Sequence, residues 1–567
     1  MRPLAALRAL PLVLFALAVA SRSAAQTPAA PADAIYTDAA VWTGKGAPLA
    51  EALAVRDGKV LAVGTRADVL RHRGPNTRVE PLGGAFVAPG FVDAHVHFLN
   101  GGFQLASVDL RAARTPAEFV ARVAAFVRTG GPGGTPLPEG QWITGGDWDH
   151  EAWGGELPRR GWIDSVTARN PVFVNRLDGH MALANTRALE AGGVTRTVVA
   201  PEGGEIVRDA RGEPTGILKD EAMGLVYAAI PAPTEPALDE AFGRAQAHAF
   251  ERGVTQVHDV GSFGGWTDLA TFERAEQDGR LRLRVYSLVP VSSWASMAER
   301  VREKGRGAGR LRWGGLKGFV DGSLGSTTAW FYAPYADAPE TSGFTVADTA
   351  AFARSLMAAD SAGLQLAVHA IGDRANDWIL GTFERIAAAH GPRDRRFRVE
   401  HAQHLTDAAI RRFGALGVIP SMQPYHAIDD GRWAAKRIGA RIRTTYAFRS
   451  LLDANAPLAF GSDWTVAPLS VMEGLYAATT RRTLDGANPD GWVPAERIAA
   501  EDALDAYTRG AAYAGFMDAE TGTLAPGKHA DFVVLSRNVL ALPPGDLGAV
   551  AVLRTYVAGE EVYRRAE

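Results

Sequence analysis

The sequence predicts an α/β protein: a (β/α)8 barrel with a small β-sandwich built from both chain ends and a large insertion after the first barrel strand. Three observations predict it. Eight short apolar runs rich in Val, Leu, Ile and Phe recur between residues 91 and 463. Helix-like stretches separate several of them, as at 345–362 and 375–389. The chain ends instead show short alternating runs broken by Gly-containing turns, and neither is long enough to bury a sizeable core alone.

Taken in order, residues 1–25 read as a signal peptide. Arg2 and Arg8 precede an apolar run at 9–20, and Ser23-Ala24-Ala25 supplies small residues for cleavage. The run is shorter than the ~20 residues a spanning helix needs. A secreted or periplasmic protein starting near Gln26 is therefore expected, with no stable membrane insertion after cleavage. Loss of Arg2, Arg8 and Arg22 takes the net charge from -3 to -6. Residues 34–88 form the first part of the sandwich. Asp57-Gly58 between two alternating runs is a hairpin signal.

Residues 89–515 are assigned to the barrel. Its strands are expected at 91–97, 254–259, 283–289, 316–321, 364–371, 397–403, 418–423 and 458–463. The insertion occupies about 99–236. It holds strand candidates at 142–146 and 172–176, and a hairpin at 204–218 turning on Asp209 to Gly212. Residues 516–567 complete the sandwich, with strand-like runs at 523–527, 530–535 and 550–556.

Composition narrows the chemistry. There is no Cys in 567 residues, which excludes disulfides, thiolate zinc sites, iron–sulfur clusters and Cys nucleophiles. Lys and Arg number 60 against 63 Asp and Glu, so no broad basic surface invites nucleic acid. The expected partners are a small-molecule substrate and, among macromolecules, at most a second copy of the chain.

Any metal must then be held by His, carboxylate or a modified Lys. His95 and His97 end the first barrel run, and residues two apart in a strand share a face. Both rings can thus converge at the strand's C-terminal end, where barrel active sites lie. His369, His401 and Asp463 end the fifth, sixth and eighth runs. Together they make a nitrogen and oxygen set suited to zinc or a similar divalent ion. Lys317 lies on the fourth run. It either reaches for solvent or is buried and carbamylated by carbon dioxide.

Other residues have plainer expectations. His258 reads as structural, and Asp373 as a helix cap. Strand alternation turns Glu400 away from the ligand face. His404 and His426 lie near strand ends, within reach of a substrate. Trp142, Trp148, Trp153 and Trp162 read as core of the insertion.

Several motifs carry a family resemblance: Pro89 to His97, Asp178-Gly179-His180, Lys317 to Gly325, His369 to Asp373, Glu400 to Gln403, Ser421 to Pro424 and Gly461-Ser462-Asp463. The chain resembles metal-dependent hydrolases of the amidohydrolase superfamily, in particular the N-substituted formamide deformylases. The resemblance implies that His95 and His97 bind one metal ion and that His369 and His401 bind a second. Carbamylated Lys317 bridges them in that scheme, and Asp463 touches metal and attacking water. It also implies hydrolysis of a non-peptide carbon–nitrogen bond, with Asp463 moving the proton. His180 is then the candidate oxyanion stabiliser; its plainer reading is a turn histidine. Ester or lactone hydrolysis on the same scaffold, and a catalytically silent metal- or solute-binding protein, are the alternatives.

Overall fold

The computed structural model describes residues 31–130, 134 and 136–566; the signal-peptide reading lies outside them. Eight parallel strands form the barrel sheet: Phe91–Val96, Val254–Asp259, Arg284–Pro290, Leu311–Phe319, Gln365–Ala370, Arg398–His401, Ile419–Met422 and Ala459–Phe460. They pair in chain order from first to last. All eight lie where the apolar runs predicted. Nearly every strand residue is buried, so these segments read as continuous apolar runs, not as alternating ones.

The ring closes between strands one and eight just beyond their ends. Asp463 N donates to His95 O at 2.7 Å, and His97 N donates to Trp464 O at 2.7 Å. The eighth strand is cut to two residues because Asp463 turns into left-handed backbone at φ 57. The fourth is longer than its apolar run, since Gly307–Ala308 pairs antiparallel with its start.

Barrel helices begin where capping groups allow. Thr349–Ser361 starts after Asp348, whose carboxylate accepts from Ala351 N at 2.6 Å. Asp373–His390 starts after Gly372 with no side-chain cap, so Asp373 is not the cap the sequence suggested: it lies in the first turn and accepts from Tyr332 N at 3.0 Å. Glu235–Glu251 leads from the insertion into strand two. It buries Leu238, Ala241, Phe242, Ala245 and Ala249, the i, i+3, i+4 face of an amphipathic helix.

The chain between strands one and two builds a six-stranded sheet with Val108–Asp109 at one edge and Gly204–Arg208 at the other. Its core gathers Phe119, Trp148, Ile163, Val174 and Leu183, with Trp153 and Trp162 packed against it. Trp142 packs on a second small cluster around Phe173 and Leu189. Trp148 is therefore core, whereas Trp142, Trp153 and Trp162 are half-buried against these clusters. The link between Phe173–Arg176 and Met181–Ala184 brings Asp178, Gly179 and His180 over the barrel mouth.

At the other end, Ala34–Thr37, Ala52–Arg56, Lys59–Gly64 and Arg78–Pro81 form a four-stranded sheet. A second sheet joins Ala40–Val41 and Phe86–Pro89 to Phe532–Leu535, Val552–Val557 and Glu560–Arg564. Both ends of the chain thus share one core, centred on Tyr36, Phe532 and Tyr556. Asp57 and Gly58 both have positive φ (49° and 72°), which gives the hairpin a turn matched to strand twist. The run at 523–527 is a turn, not a strand. Pro526 withholds a donor and Gly527 sits at φ 89, so only Leu524 and Gly527 donate across, to Thr43 O and Val60 O. Arg284 of strand three forms a buried bidentate pair with Asp531 at 2.6 and 3.1 Å, tying barrel to sandwich. Among the described residues, no helix is long and apolar enough to cross a membrane.

Candidate metal centre

His95 and His97 project from the C-terminal end of strand one toward Asp463. Nε2 of each ring stands 3.4 Å from Asp463 Oδ1. Lys317 Nζ lies 3.2 Å from His95 Nε2. The reading of Lys317 as a solvent-seeking side chain fails, because it is 4 % exposed and packed beside the Phe319 ring. Burial pulls its amine down to about 8, so a neutral, nucleophilic fraction exists at neutral pH.

His401 joins the same group. Ligand atoms of His95, His401 and Asp463 all lie within 4.8 Å of one another. His369 is adjacent, its ring 4.5 Å from that of His401. Its Nε2 is 3.1 Å from the Gly322 carbonyl, and it falls outside the close group of His95, His401 and Asp463. Burial drives His95 down to about 4 and holds His369 and His401 well below the usual histidine range. These rings are neutral, as ligation requires. Burial alone would raise the Asp463 carboxyl; the rings of His95, His97 and His401, through their charged forms and a hydrogen bond from His97, more than reverse this and hold it well below the usual carboxylate range.

Each imidazole is oriented from behind. His95 Nδ1 meets Glu400 Oε2 at 2.5 Å, His97 Nδ1 the Gly261 carbonyl at 2.6 Å, and His401 Nδ1 Gln423 Oε1 at 2.9 Å. These acceptors fix the proton on Nδ1 and turn the Nε2 lone pair toward the centre. Asp463 Oδ1 is buried and has no hydrogen-bond partner. A buried, unpartnered carboxylate oxygen facing neutral imidazoles calls for a cation. The all-nitrogen-and-oxygen donor set fits a divalent ion of the zinc type.

Glu400 corrects the expectation from strand alternation. It is fully buried inside the barrel, held by Arg398 Nε at 2.7 Å and Nη2 at 3.0 Å as well as by His95. Alternation fails at the next residue because His401 and Ala402 have φ of 74° and 45°. That left-handed step swings His401 into the same mouth. Asp463, at φ 57, is strained in the same way. Such conformations cost about 1–3 kcal/mol each and persist where surrounding structure enforces them. The sequence did carry a signal for Glu400, namely two charges two apart, Arg398 and Glu400, inside an apolar strand.

A cavity faces the centre. His180 lines it, with Nδ1 held by Asp220 Oδ1 at 2.7 Å. Burial pulls the His180 pKa down, but this hydrogen bond and the Asp220 charge raise it overall. His426 also lines the cavity, its Nε2 at 3.9 Å from Asp463 Oδ2. His258 and His404 are held elsewhere, by Arg398 at 3.1 Å and by Thr445 at 2.9 Å. Asp321 spends its carboxylate on the N–H groups of Ile371, Gly372 and Trp330. His150 lies behind the wall, 3.3 Å from Arg176 Nε. Arg176, Asp429 and Asp430 line the cavity and had no local sequence signal that set them apart.

Comparison with known proteins agrees with this geometry. The sequence profile of the amidohydrolase family matches residues 78–563. Protein LONG AFTER FAR-RED 3 of Arabidopsis thaliana is 42% identical over 544 residues, covering 94% of this chain and 92% of that protein. The N-substituted formamide deformylase of Arthrobacter pascens is 28% identical over 550 residues, covering 91% and 95%. A metal-dependent hydrolase of Pyrococcus horikoshii, uncharacterised in function, superposes with a TM-score of 0.72 at 27% identity, covering 90% of this chain and 99% of that one. On its barrel, its histidine cluster and these matches, the chain belongs to the amidohydrolase family and is a metal-dependent hydrolase.

Proposed function

We propose that the chain hydrolyses a carbon–nitrogen bond of a small molecule, a non-peptide amide or formamide-like group, using one or two divalent ions, most suitably zinc. The observation that carries this reading is Asp463. Its Oδ1 is buried and unpartnered, and equidistant from Nε2 of His95 and His97. His95, His97, His401 and Asp463 would hold the ion, with His369 and a carbamylated Lys317 as the further donors. When bound, such an ion lowers the pKa of water toward ~7 and polarises a carbonyl.

The chain's own residues do the rest. Asp463, ionised at neutral pH, accepts the proton of the attacking water at its carboxylate and returns it to the leaving nitrogen. His180 donates its Nδ1–H to Asp220, whose charge favours the imidazolium form, and in that form it presents Nε2–H to the developing oxyanion. The roofed cavity orients the substrate and limits water. The formamide-like choice is supported by the relative from Arthrobacter pascens. Export after cleavage near Ala25 belongs to the same proposal and is supported by the sequence pattern of residues 1–25.

The test is turnover by the metal-loaded protein of matched amides, formamides, esters and lactones, with metal content measured alongside. Metal-dependent release of amine is the expected result. Turnover confined to esters or lactones would replace the amide assignment. Full metal content without turnover of any carbonyl substrate would leave a binding protein.

A further inference from the structure

The charges around the cavity restrict what can enter it. Arg176 is the guanidinium in the wall, and it is already engaged. It is 1 % exposed and donates to Asp178 Oδ2 at 2.7 Å and Asp149 Oδ1 at 2.9 Å. A substrate carboxylate could reach it only by breaking a buried pair. Lys317 is enclosed within the metal centre.

Carboxyls in the same wall lack such partners. Asp430 accepts a hydrogen bond from Tyr446 OH at 2.6 Å, a neutral donor. The nearest cation to Asp429 is Arg111 at 3.8 Å, and that guanidinium donates to the carbonyls of Thr465 and Val466. Burial pushes Asp429 up to about 6 and Asp430 up to about 7, and the guanidinium groups of Arg111 and Arg176 offset this only in part.

An independent observation points to a ligand at this place. His426 precedes Asp429 and Asp430 by three and four residues on the helix Pro424–Asp430, so the three share one face. His426 is only 7 % exposed, lines the cavity, and its Nε2 has no hydrogen-bond partner. A buried polar atom left unmatched in this way costs about 1–3 kcal/mol, and a ligand hydrogen bond removes that cost. The adjoining cavity toward the insertion repeats the pattern. It adds Asp147, Asp220 and Glu221, and no further cation.

We infer that the substrate carries, beside the scissile amide, a protonated amino group that docks against His426, Asp429 and Asp430, and that it carries no carboxylate at that end. The inference rests on the amide-hydrolase reading above. The ammonium hydrogens match the carboxylates and, with His426 in its Nδ1–H tautomer, the Nε2 lone pair. Outside the metal centre and His180, an anionic group finds in this wall only the guanidinium of Arg176, which is already paired.

Three probes of equal length test it on the metal-loaded full chain: the mono-N-acetyl derivatives of butanediamine, pentylamine and aminopentanoate. They end in an ammonium, a methyl and a carboxylate. Binding is measured by calorimetry and turnover by amine release. The ammonium probe is expected to bind roughly tenfold or more tighter than the neutral one, as charge-assisted hydrogen bonds provide, with the carboxylate probe weakest. Asp429→Asn combined with Asp430→Asn should bring the ammonium-to-neutral ratio to within about twofold. Asn keeps an acceptor for Tyr446. Each single variant is expected to lose part of the preference, and added salt should weaken it in the unmodified protein.

Equal or tighter binding of the neutral or carboxylate probe overturns the inference. So does an ammonium preference that survives both substitutions. If the probes bind in the expected order but none is hydrolysed, the amide reading falls and the charge assignment stands. If amides are hydrolysed with the carboxylate probe preferred, the reverse holds.

Discussion

Replacing Glu400 by Gln tests the structure at a residue that neither ligates nor touches substrate. The side chain is fully buried between Arg398 and His95. As a carboxylate it accepts on both oxygens, from two Arg398 nitrogens and from His95 Nδ1–H. Gln keeps the shape but has one acceptor and one donor. If its oxygen faces Arg398, its NH2 meets His95 Nδ1. The ring must then carry its proton on Nε2, which removes the ligand lone pair. If its oxygen faces His95, the NH2 opposes a guanidinium. Either way Arg398 loses its buried counter-charge. Loss of an outer partner of this kind weakens metal affinity about 10–100-fold. An unpaired buried charge costs about 3–5 kcal/mol, and the retained hydrogen bond places E400Q near the lower end.

Acid sensitivity gives a second reading of the same group. Burial raises the Glu400 pKa, but Arg398 and His95 more than reverse this and hold it well below the usual carboxylate range. Its stabilisation is therefore complete above the unfolded value of ~4.3 and is lost as pH falls toward the depressed folded value. E400Q should lose that part of the acid dependence. The assays are metal retention against a competing chelator and urea unfolding of the metal-free protein at several pH values. If E400Q holds metal within twofold of the parent (roughly 0.4 kcal/mol) and unfolds at the same urea concentration, Glu400 neither orients His95 nor compensates Arg398.

Three further outcomes are expected. Asp463→Asn, compared at matched metal occupancy, should lose at least ~10²-fold in turnover, because Asn accepts no proton; a loss of only a few-fold would remove Asp463 from proton transfer. His95→Ala and His369→Ala should each lose bound metal and nearly all activity, read by elemental analysis; full metal in both would end the ligand assignment. Asp531→Ala strands Arg284 at the barrel–sandwich seam and should destabilise the fold by about 3–5 kcal/mol, while turnover per folded molecule stays near that of the parent; an unchanged unfolding midpoint would show the pair to be dispensable.

The sequence by itself determined where the barrel strands lie and which residue types sit at their ends. Those are local properties: apolar runs mark buried strands, and His95, His97, His369, His401 and Asp463 each close one. It also indicated that the chain ends must combine, since each is too short for a core. Only the tertiary structure decided which side chains meet. Alternation with period two placed Glu400 outside the site, whereas the left-handed backbone at His401 brings both neighbours inward. That conformation is set by packing and pairing between strands distant in the chain, as is the closure of Asp463 N on His95 O. Arg176, Asp429 and Asp430 illustrate the same limit. Their neighbours come from the insertion, the seventh-strand loop and the barrel mouth, so the charge each one presents to a ligand depends on partners that no local pattern specifies. Short-range sequence fixes backbone preference and residue type; long-range contact fixes register, burial and charge compensation, and the chemistry of this site depends on all three.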